Sequence, residues 1–175
     1  MRVTKLHSYQ DKYLALYESS EPDYNRAEYI YDYITKIAPA SLFDVGSGWG
    51  ELVNWARDNG IKAEGLDFAS PVADYKQRAT EPFPIDEVDM VVSLDFFEHL
   101  FEHEIDTVLD EIKRVCKGVF IASISSHDSR GTFLDGSNLH NTIYPQSWWI
   151  DRIQSRGFKR KATFKNHELF QVFDA

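Results

Sequence analysis

Cysteine occurs once in the 175 residues, at Cys116. A lone thiol excludes an intrachain disulfide and any zinc site built on paired cysteines. Proline (6) and glycine (9) are sparse, which excludes collagen-like and low-complexity architectures. No stretch approaches the ~18 consecutive apolar residues of a membrane span, and the N-terminus lacks the apolar run of a secretory signal. A cytoplasmic chain with no membrane partner is therefore expected. Basic residues are also in deficit: 19 Lys+Arg against 28 Asp+Glu leave a net charge of −9. That sign opposes approach to a phosphate backbone, and no basic stripe interleaved with aromatics compensates, so nucleic acid is not expected as a partner. What remains is the composition of a folded protein, 43% hydrophobic and 27% charged, which excludes disorder. At ~150 residues per domain the length predicts one domain over 1–175, with a helical segment over 1–39 and a core over 40–175.

Apolar periodicity predicts an alternation of strands and helices. Tyr9, Tyr13, Leu14 and Tyr17 have helical spacing within 8–19, and a clearer helix spans 24–37, with Asp23 as N-cap and Pro39 as its stop. Strands are expected at Ser41–Val45, Ile61–Asp67, Met90–Leu94 and Val119–Ile124, with helices over 51–59 and 103–117. The last of these helices carries Ile105, Val108, Leu109, Ile112, Val115 and Cys116 as one stripe, with Gly118 as its stop. Residues 69–82 suggest a truncated helix and a weak strand. After a loop over 125–144, a helix over 146–156 precedes strands near 158–164 and 169–173. Such alternation implies a parallel sheet covered on both faces. The linker between the last two strands is too short for a helical crossover, so they must form an antiparallel hairpin.

Between the first strand and its helix stands Asp44-Val45-Gly46-Ser47-Gly48-Trp49-Gly50. The spacing is G-x-G-x-G, not the G-x-G-x-x-G of a dinucleotide fold, and no Gly-Lys-Ser/Thr follows to make a P-loop. Asp67 ends the second strand, 67 − 44 = 23 residues beyond Asp44, where a carboxylate can accept both hydroxyls of a ribose. On these residues the chain resembles the class I S-adenosylmethionine-dependent methyltransferases of the small-molecule branches. The resemblance covers about 40–175. It implies a three-layer Rossmann-like fold, a mostly parallel seven-stranded sheet ending in an antiparallel hairpin, with S-adenosyl-L-methionine as cofactor. It implies that Gly46, Ser47, Gly48 and Gly50 lie under the methionine part of the cofactor and that Asp44 orders the loop or meets the ammonium group. Asp67 would take the ribose, Phe68 the adenine, and Leu94 and Asp95 would border the cofactor. The acidic residue that often meets the adenine amine has no counterpart in Arg78-Ala79-Thr80-Glu81.

Asp95, Glu98 and His99 follow the strand ending at Leu94, at i, i+3, i+4, which places them on one helical face at the ligand-binding edge of the sheet. Two carboxylates and an imidazole suit general-base work or a divalent cation. The segment is similar to a glutamate-x-x-glutamate-histidine motif that holds a metal in two branches of the family, ubiquinone-pathway O-methyltransferases and small-RNA 2′-O-methyltransferases, some with a further histidine downstream. Here Asp95 replaces the first glutamate and shortens it, and His140 is the downstream candidate. The favoured expectation is metal-free, with His140, His99 and Asp95 as catalytic groups. Asp95, Glu98, His99 and His140 as metal ligands is the alternative. His103 and His127 are expected at the surface, Trp148-Trp149 in the core, and Lys159-Arg160-Lys161 on a solvated edge. Ser125, His127 and Asp128 lack a nucleophile elbow, which argues against a hydrolase.

The expected activity is methyl transfer to a small-molecule acceptor, at oxygen. The alternatives are a non-catalytic S-adenosylmethionine-binding partner subunit and a 2′-O-methyltransferase acting on nucleic acid.

Overall fold

The computed structural model describes residues 9–19, 25–164 and 167–175. Five helices, α1 (Tyr9–Ser19), α2 (Tyr31–Ile37), α3 (Glu51–Asp58), α4 (Glu102–Val115) and α5 (Gln146–Gln154), accompany six strands. The strands are β1 (Ser41–Val45), β2 (Lys62–Leu66), β3 (Val88–Leu94), β4 (Cys116–Ser123), β5 (Lys159–Phe164) and β6 (His167–Asp174). They form one sheet in the order β2-β1-β3-β4-β6-β5. The first four are mutually parallel, and β6 runs antiparallel between β4 and β5. The terminal hairpin is thus present, and β5, which carries Lys159-Arg160-Lys161, is an edge strand.

The sheet has six strands among the described residues, where seven were expected. The missing one belongs to 69–82. There only Tyr75 pairs, as a single parallel bridge with Leu66, its N–H donating to the Gly65 carbonyl and its carbonyl accepting from the Asp67 N–H, both at 3.1 Å. The N–H groups that the next pairs need are taken by side chains: Gly65 N–H donates to Asp74 Oδ2 at 2.8 Å and Ala69 N–H to Asp67 Oδ1 at 2.9 Å, so the pairing does not propagate. Neither is a helix formed in this stretch.

Alternate residues of the central strands supply two separate cores. Phe43, Val45, Val91 and Phe120 face one way, with α4 and Trp149. Leu42, Met90, Val92 and Ile121 face the other, with Ile30, Ile34, Leu52, Val53 and Ala56. This is the two-residue period of strands buried on both faces. The α4 stripe is fully buried at Ile105, Val108, Leu109 and Ile112, each stabilising by about 1.5–3 kcal/mol.

Two local expectations change. Gly118 does not stop α4; the helix ends at Val115 and the chain enters β4 at Cys116. Gly118 lies inside that strand because a Cβ there would sit 2.6 Å from the Asp89 carbonyl oxygen. The helix over 24–37 divides into a 3-10 turn at Arg26–Ile30 and α2, with Asn25 accepting from the Ala27 N–H. Asp23, expected as the cap, lies outside the described residues, as do Ser8 and Tyr24.

Candidate active site

The parallel strands end at one edge of the sheet, and the chemistry-bearing residues collect there. Beyond β1 the chain turns sharply: the Gly46 and Ser47 N–H groups donate to the Leu66 carbonyl at 2.8 and 3.1 Å. Gly48 has φ +54°, a backbone region that L side chains rarely adopt. Its N–H donates to Asp67 Oδ2 at 3.2 Å. Asp67 Oδ1 accepts the Ala69 and Ser70 N–H groups at 2.9 and 3.0 Å, so the carboxylate is fixed at the end of β2. Burial raises the Asp67 pKa, opposed by these donors. Asp44 is deeper: burial, together with the Asp67 and Glu51 carboxylates, pushes it up to about 8. A cleft that crowds Asp44, Asp67 and Glu51 rewards a cationic ligand, which would relieve the same repulsion.

A cleft enclosing about 910 Å³, partly open to solvent, runs over this loop past Asp67, Phe68, Leu94 and His99. A second, of about 730 Å³, continues past Ser47 to Asp44 and Arg26. The two share Gly46, Gly48, Leu94 and Asp95, so the combined site is elongated. Gly50 stands at the start of α3, outside both linings. The roof is α1. Its Tyr9, Tyr13 and Tyr17 recur every fourth residue and line the larger cleft. Tyr17 donates to Asp67 Oδ2, Tyr13 contacts Phe68 edge-on at 5.5 Å, and Tyr9 donates to the His99 carbonyl at 2.6 Å. Burial raises all three phenol pKa values.

The cluster after β3 divides. Asp95 has φ +49°, a conformation uncommon outside glycine, at the point where the chain leaves the strand. Its carboxylate turns from Glu98 and His99 to Arg26 (2.6 Å) and to the Ser123 hydroxyl (2.6 Å). The expected common face is therefore lost for Asp95. A 3-10 turn at Phe97–His99 carries the other two. Glu98 is completely buried; Oε1 accepts the Ser125 N–H at 3.0 Å, whereas Oε2 has no hydrogen-bond partner. Burial and the Asp95 charge push Glu98 up to about 8. Its backbone carbonyl accepts from the Asn141 and Thr142 N–H groups at 2.8 and 3.1 Å, and this draws the 125–145 loop over the site. His140 arrives with that loop, its ring 4.9 Å from that of His99 and nearly perpendicular to it. Burial, with His140 alongside, pushes His99 down to about 4, so it is neutral near pH 7.

The Nδ1 atoms of both rings face backbone carbonyls: His99 faces Leu139 (3.0 Å), a position it shares with the Tyr13 hydroxyl at 2.6 Å, and His140 faces His127 (2.6 Å). A carbonyl only accepts, so a ring bonded to one carries a proton on Nδ1; at His99 the nearer Tyr13 hydroxyl can instead donate to Nδ1, which moves the proton to Nε2. His103 and His127 are exposed, and Trp149 is buried in the core.

Residues 43–121 match the family model described as a methyltransferase domain. The fold is that of the class I methyltransferases. A search of curated protein sequences found no match. Solved methyltransferase structures share the fold at low identity. The Burkholderia thailandensis 1,6-didemethyltoxoflavin-N1-methyltransferase, with its substrate and S-adenosylhomocysteine bound, is 12% identical at a TM-score of 0.75, over 99% of this chain and 92% of that one. A TehB-like S-adenosylmethionine-dependent methyltransferase from Corynebacterium glutamicum is 18% identical (TM-score 0.65; 94% and 95%). The Synechocystis magnesium protoporphyrin IX methyltransferase, with S-adenosylhomocysteine bound, is 13% identical (TM-score 0.63; 94% and 92%).

Sequence reading left two parts of the site unassigned. Arg26 comes from a turn with no motif, and only its approach to Asp95 reveals it. Gln77, Arg78, Ala79 and Thr80 line the larger cleft. Arg78-Ala79-Thr80 stood where the resemblance puts an adenine contact, but without the acidic residue none of them was named as a site residue.

Proposed function

We propose that the chain transfers a methyl group from S-adenosylmethionine to the oxygen of a small-molecule acceptor. The observation that carries the reading is the fixed Asp67 carboxylate beside the bare backbone of Gly48, at the mouth of a cleft whose other end holds Asp44. That donor set fits the cofactor. Asp67 suits ribose hydroxyls, the aromatic face of Phe68 suits adenine, and the buried acidic end suits an ammonium group beside a sulfonium. Bound S-adenosylmethionine supplies the electrophilic methyl; the chain holds it, orients the acceptor in line and excludes water beneath the tyrosine roof.

A hydroxyl acceptor becomes a good nucleophile as its proton leaves. The C–O bond forms, the C–S bond breaks, and the proton passes to an imidazole. His99, neutral near pH 7, lines the larger cleft with the His140 ring 4.9 Å away, and an imidazole so placed supports oxygen as the acceptor atom. The net charge of −9 favours a small acceptor over nucleic acid. Among the described residues no helix is long and apolar enough to cross a membrane.

The test is a panel of small hydroxyl and amine acceptors assayed for S-adenosylhomocysteine release, beside calorimetric titration of S-adenosylhomocysteine. Micromolar binding with release on a hydroxyl acceptor is the expected result. Binding without release on any acceptor would make the chain a non-catalytic partner subunit, and no binding would end the proposal.

A further inference from the structure

Two neighbours of opposite sense meet one ring nitrogen in the larger cleft. His99 Nδ1 lies 3.0 Å from the Leu139 carbonyl, which only accepts, and 2.6 Å from the Tyr13 hydroxyl, which can donate. In a neutral imidazole Nδ1 either carries the proton or offers a lone pair, never both. The Leu139 carbonyl suits the first state and a donating phenol the second. Burial keeps the phenol protonated and the imidazole neutral, so each group has one proton to place.

The Tyr9 hydroxyl decides between the two states. Its proton has two acceptors in reach, the His99 backbone carbonyl at 2.6 Å and the Tyr13 oxygen at 3.3 Å. The nearer carbonyl takes it, since 3.3 Å lies beyond the ordinary O–H···O range. The Tyr9 oxygen is itself filled by a donor from Asn141. The Tyr13 proton is then left with His99 Nδ1 at 2.6 Å. Elsewhere the Tyr13 ring meets Phe68 and Phe133 edge-on at 5.5 and 5.0 Å, and neither offers an acceptor atom. Leu139 stands on the 125–145 loop and is only half-buried, so its carbonyl can bond water instead.

We infer that Tyr13 is a positioning residue that sets the tautomer of His99: with α1 over the cleft, its hydroxyl donates to Nδ1 and the ring proton sits on Nε2. When the hydroxyl leaves, the Leu139 carbonyl takes over and the proton returns to Nδ1. The roof helix thus chooses which nitrogen of His99 donates and which accepts. His140 has a different partner, because its Nδ1 faces the His127 carbonyl at 2.6 Å, which fixes the proton there and leaves Nε2 a lone pair. The tautomer follows from this geometry alone, whereas its use rests on the proposed methyl transfer. Under the closed roof His99 no longer offers Nε2 as a base, and proton acceptance passes to His140, whose ring lies 4.9 Å away.

The experiment is long-range ¹H–¹⁵N correlation spectroscopy of the imidazoles in the ¹⁵N-labelled full chain at neutral pH, which reads the protonated nitrogen of each ring. The pattern lost in His99→Gln assigns that residue among the six histidines. Wild type is expected to show His99 with Nε2 protonated. Tyr13→Phe keeps the ring and removes the donor, and should shift the tautomer ratio toward Nδ1–H by about 10-fold, within the cost of a stranded hydrogen-bonding group. Tyr9→Phe perturbs the same helix but leaves the Tyr13 hydroxyl, and should keep the wild-type pattern. Near-ultraviolet circular dichroism shows which variants are folded; if Tyr13→Phe is not, the wild-type tautomer decides. Nδ1 protonated in wild type overturns the inference, as does Nε2–H retained in folded Tyr13→Phe or the same reversal in Tyr9→Phe. S-adenosylhomocysteine is titrated into the same samples. A chain that binds it without a Tyr13-dependent tautomer loses only this inference, and one with the tautomer but no binding loses only the methyl-transfer reading.

Discussion

The Tyr17 hydroxyl donates to Asp67 Oδ2 at 3.3 Å, onto the same oxygen that accepts the Gly48 N–H. The roof helix α1 is thereby tied to the carboxylate proposed to receive the ribose. A ribose hydroxyl and the Tyr17 hydroxyl compete for that oxygen. Tyr17→Phe keeps the ring against Trp49 (5.2 Å) and frees the acceptor. It is expected to tighten S-adenosylhomocysteine binding by about 0.5–1.5 kcal/mol, the value of one hydrogen bond, whereas Asp67→Ala weakens it by about 1–3 kcal/mol. Calorimetry on the two variants decides; a weaker Tyr17→Phe would show that the phenol assists the ribose instead of competing with it.

Gly48 gives a second prediction. Its φ of +54° is costly for any side chain and most of all for a β-branched one, although a Cβ there would have space, the nearest atom being the Tyr17 hydroxyl at 3.6 Å. Gly48→Val is expected to fold, with circular dichroism close to wild type, and to lose S-adenosylhomocysteine binding because the loop can no longer approach a ligand. Normal affinity in that variant would move the cofactor away from the loop.

The parts of this site that were legible in the sequence are the local ones. Asp44–Gly50 and Asp67 could be found because a glycine turn and a strand-end carboxylate are written in consecutive residues. Two exceptions had opposite causes. The seventh strand failed because the Asp74 and Asp67 carboxylates take the Gly65 and Ala69 N–H groups that further pairs need, and a weak apolar pattern cannot show how far a ladder will propagate. Asp95 had the correct i, i+3 spacing for a shared face, but Arg26, from a different part of the chain, and Ser123, at the end of β4, draw it away. Spacing describes what a helix would do; a left-handed residue at φ +49° breaks that premise before the turn begins. The meeting of His140 with His99 depends on backbone hydrogen bonds from Asn141 and Thr142 to Glu98, which no side-chain pattern encodes.

Asp44 yields a pH prediction. Its pKa is raised to about 8 in the fold, against ~3.9 for an ordinary aspartate. The folded chain therefore binds a proton that the unfolded chain releases between about pH 4 and 8, and stability of the cofactor-free protein falls as pH rises through that window. Asp44→Asn removes the charge and its share of the dependence, leaving that of Glu98. Its melting temperature is expected to exceed that of wild type by more at pH 9 than at pH 5, while its affinity for S-adenosylhomocysteine falls at both. A gap that narrows toward pH 9 would mean that a cationic partner already stabilises the ionised form.

His140 separates acceptor chemistry from cofactor binding. It belongs to neither cleft lining that contains the glycine loop, yet its ring lies 4.9 Å from His99, which lines the larger one. A group so placed can act on the acceptor without touching the nucleoside. His140→Ala is expected to leave S-adenosylhomocysteine affinity unchanged and to lower kcat by about 10²–10⁴-fold, the range for a lost proton acceptor. The His127 carbonyl, which faces His140 Nδ1, also accepts from the Ser125 hydroxyl at 3.2 Å, so the fold should tolerate the change. His140→Gln offers an amide in place of the ring but cannot take a proton near neutral pH, and should be as slow as alanine. If either variant turned over at the wild-type rate, the proton would have to leave by His99, which lines the larger cleft, and His140 would have no part in the chemistry. If both lost affinity for the nucleoside as well, the 125–145 loop would be part of the cofactor site rather than of the acceptor site.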